Sequence, residues 1–299
     1  MLEVSEISKN YKNIPALNKI SFNVGKGEMF GIIGPDGAGK TSLIRILTTL
    51  LIPNSGYAKL DGLDVVKDFK KIRKKIGYMP SKFSLYQDLS VYENLSFFAS
   101  VFGTTIDENY DLIKDIYQQI EPFANRLAGK LSGGMKQKLA LSCALIHRPD
   151  FLFLDEPTTG VDAVSRKEFW QMLATLKKLG ISILVSTPYM DEATLCDRVM
   201  LIQKGNALTI DSPAAITAHF PHPMWSIKGG SLYKIKKVLE GYEFTHSVNS
   251  FGQDLHYVDK RTQINITEIR NFIQSKTGEL VEVNTILPNI EDCFIEYSR

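Results

Sequence analysis

One short segment limits the folds open to this chain more than any other: Gly34-Pro35-Asp36-Gly37-Ala38-Gly39-Lys40-Thr41, followed by Ser42. It fits the pattern G-x-x-x-x-G-K-[ST]. Met29 to Ile33, just before it, is an unbroken apolar run that reads as a buried strand. After it, Leu43, Ile46, Leu47, Leu50 and Leu51 recur at helical spacing, with Pro53 as the expected stop. Strand, glycine loop and amphipathic helix predict an α/β protein of P-loop type. Glycines let the backbone wrap phosphates, while loop N–H groups and the helix N-terminus supply partial positive charge. Lys40 is expected to reach the β- and γ-phosphates of a nucleotide, and the Thr41 hydroxyl to ligate Mg2+.

A second anchor is Phe151-Leu152-Phe153-Leu154-Asp155-Glu156, where an apolar strand ends in two carboxylates. Open α/β sheets place ligands at such carboxyl ends. Asp155 is the expected Mg2+ partner, and Glu156 the group that polarises an attacking water. A third is Leu131-Ser132-Gly133-Gly134-Met135-Lys136-Gln137, which opens a helix running to Ile146. Serine and glycine at a helix start form another anion cradle. Because one chain seldom needs two cradles for one nucleotide, this one is expected to serve a nucleotide held by another subunit.

Composition narrows the function classes. Among 299 residues, 35 Lys+Arg oppose 33 Asp+Glu, a net charge of +2. That balance argues against a dedicated nucleic-acid binder. There is no uncharged apolar stretch of about 18 residues, so no helix is expected to span a bilayer. The polar N-terminus reads as no secretion signal. Cys143, Cys196 and Cys293 lie far apart and read as buried small hydrophobes rather than as a zinc or disulfide set.

Helical texture begins at Ser90, where Ser90 and Glu93 form a capping-box pattern, and a second helix is expected over 109–120. A composition shift at 219–223 reads as a linker. Beyond it the pattern predicts strand, helix, strand, strand, helix, strand, a small ferredoxin-like α+β domain. His219, His222, His246 and His256 show no metal-ligand spacing and read as solvated or locally bonded histidines.

Together the three motifs resemble the ATP-binding subunit of an ABC transporter, over residues 1–218. The resemblance implies an ABC-type nucleotide-binding domain with antiparallel β and helical subdomains, the helical one over about 85–146, and an accessory domain over 219–299. It implies ATP and Mg2+ as cofactors, Tyr11 stacked on adenine, and Asp162 as an aspartate acting across a dimer. It also implies a second ATPase subunit or a homodimer, a polytopic permease, no nucleic acid, and a peripheral place on the cytoplasmic face of the membrane. The ending Pro288-Asn289-Ile290-Glu291-Asp292-Cys293-Phe294-Ile295 resembles that of multidrug exporter ATPases. The apolar residues Phe83, Leu85, Tyr86 and Leu89 fall where the family meets its membrane partner. Two positions depart: Ser81 stands where the family has glutamine, and Pro188 where it has histidine. Asp36 replaces the usual asparagine. The departures keep open a regulatory subunit with little hydrolysis. A soluble ABC ATPase acting on ribosomes or nucleic acid is the other alternative.

Overall fold

The chain begins with a strand whose periodicity is broken. In β1 (Leu2–Tyr11), Glu6 is left-handed at φ 49 and the register shifts between Val4 and Ile7. The bulge keeps Leu2, Val4 and Ile7 all buried although their spacing changes from two to three. β1 pairs antiparallel with β2 (Ile14–Val24). β3 (Met29–Ile33), buried at every position, leads through the glycine loop into α1 (Lys40–Leu47).

α1 stops earlier than the apolar stripe predicts, and Pro53 does not end it. Thr48 Oγ1 donates to Ile44 O at 2.8 Å, Thr49 turns left-handed at φ 65, and Leu50 is 54% exposed. Arg73 Nε holds that turn through Thr49 Oγ1 at 2.8 Å. β4 (Ser55–Leu60) and β5 (Leu63–Asp64) complete a first sheet ordered β2-β1-β4-β5.

α2 (Phe69–Ile72) and β6 (Ile76–Met79) precede the helical segment of α3 (Val91–Val101), α4 (Ile106–Tyr117) and α5 (Gly133–Leu145). Capping boxes start the first two, Ser90 with Glu93 and Thr105 with Glu108. The second box sets the start of α4 ahead of the expected position 109. Next come β7 (Phe151–Asp155), α6 (Ala163–Lys178), β8 (Ser182–Thr187), β9 (Arg198–Gln203) and β10 (Asn206–Asp211). The second sheet runs β10-β9-β3-β8-β7-β6, parallel except at its β10 edge. β3, β7 and β8 are interior and buried at every position; β3 and Phe151–Leu154 of β7 are continuous apolar runs, and β8 carries Ile183, Leu184 and Val185 between buried hydroxyls. Their carboxyl ends deliver Gly34, Asp155 with Glu156, and Thr187 to one edge of the sheet.

The structure, a computed structural model, describes residues 1–261 and 264–299 and divides into Met1–Pro213 with Tyr297–Arg299, and Ala214–Glu296. The second unit contains most of α7 (Pro213–Ala218), then β11 (Met224–Lys228), α8 (Leu232–Glu240), β12 (Thr245–Phe251), β13 (Asp254–Asp259), α9 (Ile266–Thr277), β14 (Glu282–Ile286) and α10 (Ile290–Tyr297). Its antiparallel sheet runs β12-β13-β11-β14, a split β-α-β arrangement. Ile235, Leu239, Ile269 and Ile273 from the helices pack with Trp225, Ile227, Leu255 and Tyr257 from the strands. Cys293 Sγ reaches Ile216 O at 3.7 Å, so α10 ties α7 into this unit ahead of the sequence boundary at 218–219. All three cysteines are buried, and burial pushes the Cys293 thiol up to about 12. Among the described residues no helix is long and apolar enough to cross a membrane.

Candidate nucleotide site

The loop after β3 is closed by contacts that only glycine permits. A Cβ on Gly34 would lie 2.1 Å from Ile202 O. Gly39 has φ 107, and a Cβ there would lie 2.4 Å from Ala16 O. Lys40, 3% exposed, donates through Nζ to Gly34 O at 2.7 Å and Pro35 O at 2.9 Å. The same nitrogen is 3.1 Å from Glu156 Oε1. No acidic residue lies in the first turn of α1 and no side chain caps it. Its leading N–H groups therefore combine with a buried cation to form an anion-binding position. Asp36 and Gly37 are exposed at the loop tip, and Ala38 is buried. Tyr11, 44% exposed, shares a hydrogen bond of 3.3 Å between its hydroxyl and Ser42 Oγ. That puts its ring beside the start of α1.

Two carboxylates meet this loop from β7. Asp155 is fully buried, and its Oδ1 accepts from Thr41 Oγ1 at 3.1 Å and Ser186 Oγ at 2.8 Å. Its Oδ2 is buried with no hydrogen-bond partner among the described residues. A bare carboxylate oxygen beside a threonine hydroxyl suits a hard cation with oxygen ligands. Glu156 adopts φ 50, a left-handed conformation uncommon outside glycine. Its N–H donates to Ser186 O and Ser186 Oγ, each at 3.1 Å. One serine hydroxyl thus links both acidic residues.

Sequence reasoning missed Ser186, Thr158 and Glu192. Glu192 is 2% exposed; it accepts from Thr158 Oγ1 at 2.9 Å and from Thr187 Oγ1, and lies 3.9 Å from Arg166 Nε. Tyr189 N–H donates to Thr187 Oγ1 at 3.1 Å, and Arg166 lies over the Tyr189 ring at 4.9 Å. The backbone around Pro188 is therefore pinned on both sides. Pro188 itself offers neither a ring nitrogen nor an N–H. The only prior signal for Ser186 and Thr187 was two hydroxyls ending an apolar strand.

At the second cradle, Ser132 Oγ caps α5 by accepting from Met135 N–H at 3.4 Å. Ser132 and Gly133 are exposed, while Gly134 packs so closely that a Cβ would lie 2.6 Å from Ser165 Oγ. Asp162 caps α6, accepting from Val164 N–H at 3.1 Å and Ser165 N–H at 3.0 Å. The Ser165 bond holds its carboxyl below the usual range. None of the hydrogen bonds among the described residues joins Ser132, Gly133 or Gly134 to the loop at 34–42. Ser81 shares a cavity of about 160 Å³ with Phe83, Lys136, Gln137 and Glu156. A larger apolar groove of about 420 Å³ is lined by Leu50, Tyr78, Met79, Leu85, Phe98 and Phe102, among others. Leu85 is buried within it, whereas Tyr86 is 51% exposed and Phe83 lies beneath Lys136 Nζ at 5.4 Å.

Parallel sheet, glycine loop and paired carboxylates define a P-loop nucleotide-binding protein. The ABC transporter family model matches residues 17–159. The probable multidrug ABC transporter ATP-binding protein YbhF of Escherichia coli (strain K12) is 38% identical over 220 residues, 73% of this chain and 38% of that protein. This chain thus spans about two fifths of that relative's length. The Nod factor export ATP-binding protein I of Sinorhizobium fredii (strain NBRC 101917 / NGR234) is 32% identical over 298 residues, covering 98% of this chain and 84% of the relative. Among solved structures, cbiO1 of Clostridium perfringens, part of the ABC transporter complex cbiONQ, superposes with TM-score 0.66 at 30% identity, over 73% of this chain and 90% of that one. A dimeric cassette, MJ0796, in a post-hydrolysis state with ADP and Pi gives TM-score 0.64 at 26% identity, over 71% and 98%. The chain belongs to the family of ABC transporter ATP-binding proteins.

Proposed function

We propose that this chain is the ATP-hydrolysing subunit of an ABC exporter, sits on the cytoplasmic face of the membrane, and works as one half of an ATP-bridged dimer. The observation that carries the reading is the meeting of Lys40, Thr41, Asp155 and Glu156 at one sheet edge. Thr41 and Asp155 would hold Mg2+, and the buried unpartnered oxygen of Asp155 supports that fit. When bound, that ion neutralises charge on the β- and γ-phosphates. Gly34 to Ser42 wrap the phosphates, and Tyr11 stacks on the base. An incoming γ-phosphate competes with Glu156 for Lys40, leaving the Glu156 carboxylate to orient and polarise water. Ser132, Gly133, Gly134 and Asp162 face the nucleotide of the opposite subunit. ATP contacts both faces only when they close, so it shifts the dimer toward the closed state. The apolar groove beside Leu85 and Phe102 receives the membrane subunit.

Ser81 and Pro188 favour an asymmetric assembly in which this chain's own site turns over slowly and a partner carries complete machinery. Loss of one water-positioning or proton-transfer group costs roughly 10²–10⁴-fold in rate. Single-turnover hydrolysis by the isolated chain is the test. A slow burst abolished by Glu156→Gln is expected. Turnover at the rate of a complete site would overturn the asymmetry, and absence of ATP binding would overturn the whole reading.

A further inference from the structure

In the C-terminal unit, three residues far apart in sequence converge. His222 lies between α7 and β11, His246 on β12 and Glu296 on α10. His246 Nε2 is 3.0 Å from both carboxylate oxygens of Glu296, and His222 Nε2 is 3.9 Å from Oε1. The two imidazole centroids are 4.4 Å apart. All three donor atoms lie within 4.8 Å of one another. The residues are half-buried, with side chains 30%, 25% and 15% exposed.

A neighbouring, more deeply buried pair provides a contrast. One turn earlier on α10, Asp292 Oδ1 takes a single imidazole, His256 Nδ1, at 2.8 Å. Glu296 instead gathers two. Two protonated imidazoles side by side repel, whereas two neutral ones offer lone pairs to a cation. Two imidazoles and a carboxylate form a donor set suited to zinc-class ions and ill suited to Mg2+. Tetrahedral zinc, with donors at about 2.0–2.1 Å, spaces its ligands about 3.3 Å apart, so small side-chain rotations close the observed triangle.

We propose that His222, His246 and Glu296 form a site for a divalent late transition metal, zinc in the first instance, with water completing the coordination. The ion pins the 219–223 segment and α10 to β12, a staple of the kind small units use to supplement a short core. The spacing of the histidines hides the site, because each ligand comes from a different element.

Titrating the full chain with Co2+ in the absence of nucleotide tests this. One equivalent should bind with the intense visible bands of a tetrahedral ion, bands that Zn2+ displaces and Mg2+ does not. His246→Ala and Glu296→Gln should each weaken binding at least tenfold, and Zn2+ should raise the unfolding temperature of the wild-type chain only. His222→Ala lies outside the strands and helices, so it serves if His246→Ala fails to fold. His219→Ala should change nothing. Absence of the bands, or equal affinity in wild type and all three ligand variants, overturns the site.

Discussion

The two helix starts that carry the nucleotide motifs, α1 at Gly39 and α5 at Ser132, treat their unpaired N–H groups in different ways. α1 has no side-chain cap, and its opening is walled by Ala16 and filled by a lysine 3% exposed. α5 is capped by its own serine and turns Ser132 and Gly133 outward. The first start is surrounded by acceptors and carboxylates of the same chain. The second has Gly134 packed from behind by Ser165, with Ser132 and Gly133 left to solvent. On the proposed function, the contrast separates a site one chain assembles alone from a surface that serves a second chain.

Substitutions can break that contrast at either end. Glu156→Gln acts only on the assembled site and should lower single-turnover hydrolysis roughly 10²–10⁴-fold while preserving ATP affinity; an equal loss of affinity would show that the carboxylate holds the fold of the loop instead. Lys40→Ala removes a charged donor worth about 1.5–3 kcal/mol, so nucleotide affinity should fall roughly 10–100-fold by calorimetry. Unchanged affinity refutes the cradle. Ser132→Arg should leave ATP binding by the isolated subunit within about twofold, a bound set by the factor-of-ten cost of a real contact, yet abolish ATP-dependent dimerisation in sizing experiments. If binding falls instead, the two starts are not independent. Asp162→Ala should have the smallest effect, a drop of a few degrees in unfolding temperature from the lost cap of α6. The Asp162 carboxyl is held low when folded, so its contribution is present above the unfolded carboxylate range and fades as pH falls through the folded value. Wild type and variant should therefore converge in melting temperature once the pH has fallen well below the ordinary carboxylate range.

What could be read from the chain alone follows the same division. The cradle was legible because Gly34 to Thr41 and its flanking strand are contiguous, and backbone chemistry dictates the residue types. The start of α5 was legible for the same reason. β1 resisted because a left-handed Glu6 shifts its alternation by one residue. The early end of α1 resisted because Arg73, from a later element, fixes the turn at Thr49. Ser186, Thr158 and Glu192 are ordinary residues in sequence, and their importance arises only when β7 and β8 lie side by side. The histidines of the C-terminal unit gave no spacing to read, since strand pairing and helix docking bring them together.

The shortness of α1 has a mechanical consequence. Eight residues at 1.5 Å each make a rod about 12 Å long. Its first residue grips the loop carbonyls, and Thr48 and Leu50 beyond its last line the apolar groove. Clamps at both ends and a buried face between them leave the rod little slack. The loop carbonyls and the apolar groove are thus the two ends of one short element, with no hinge between them.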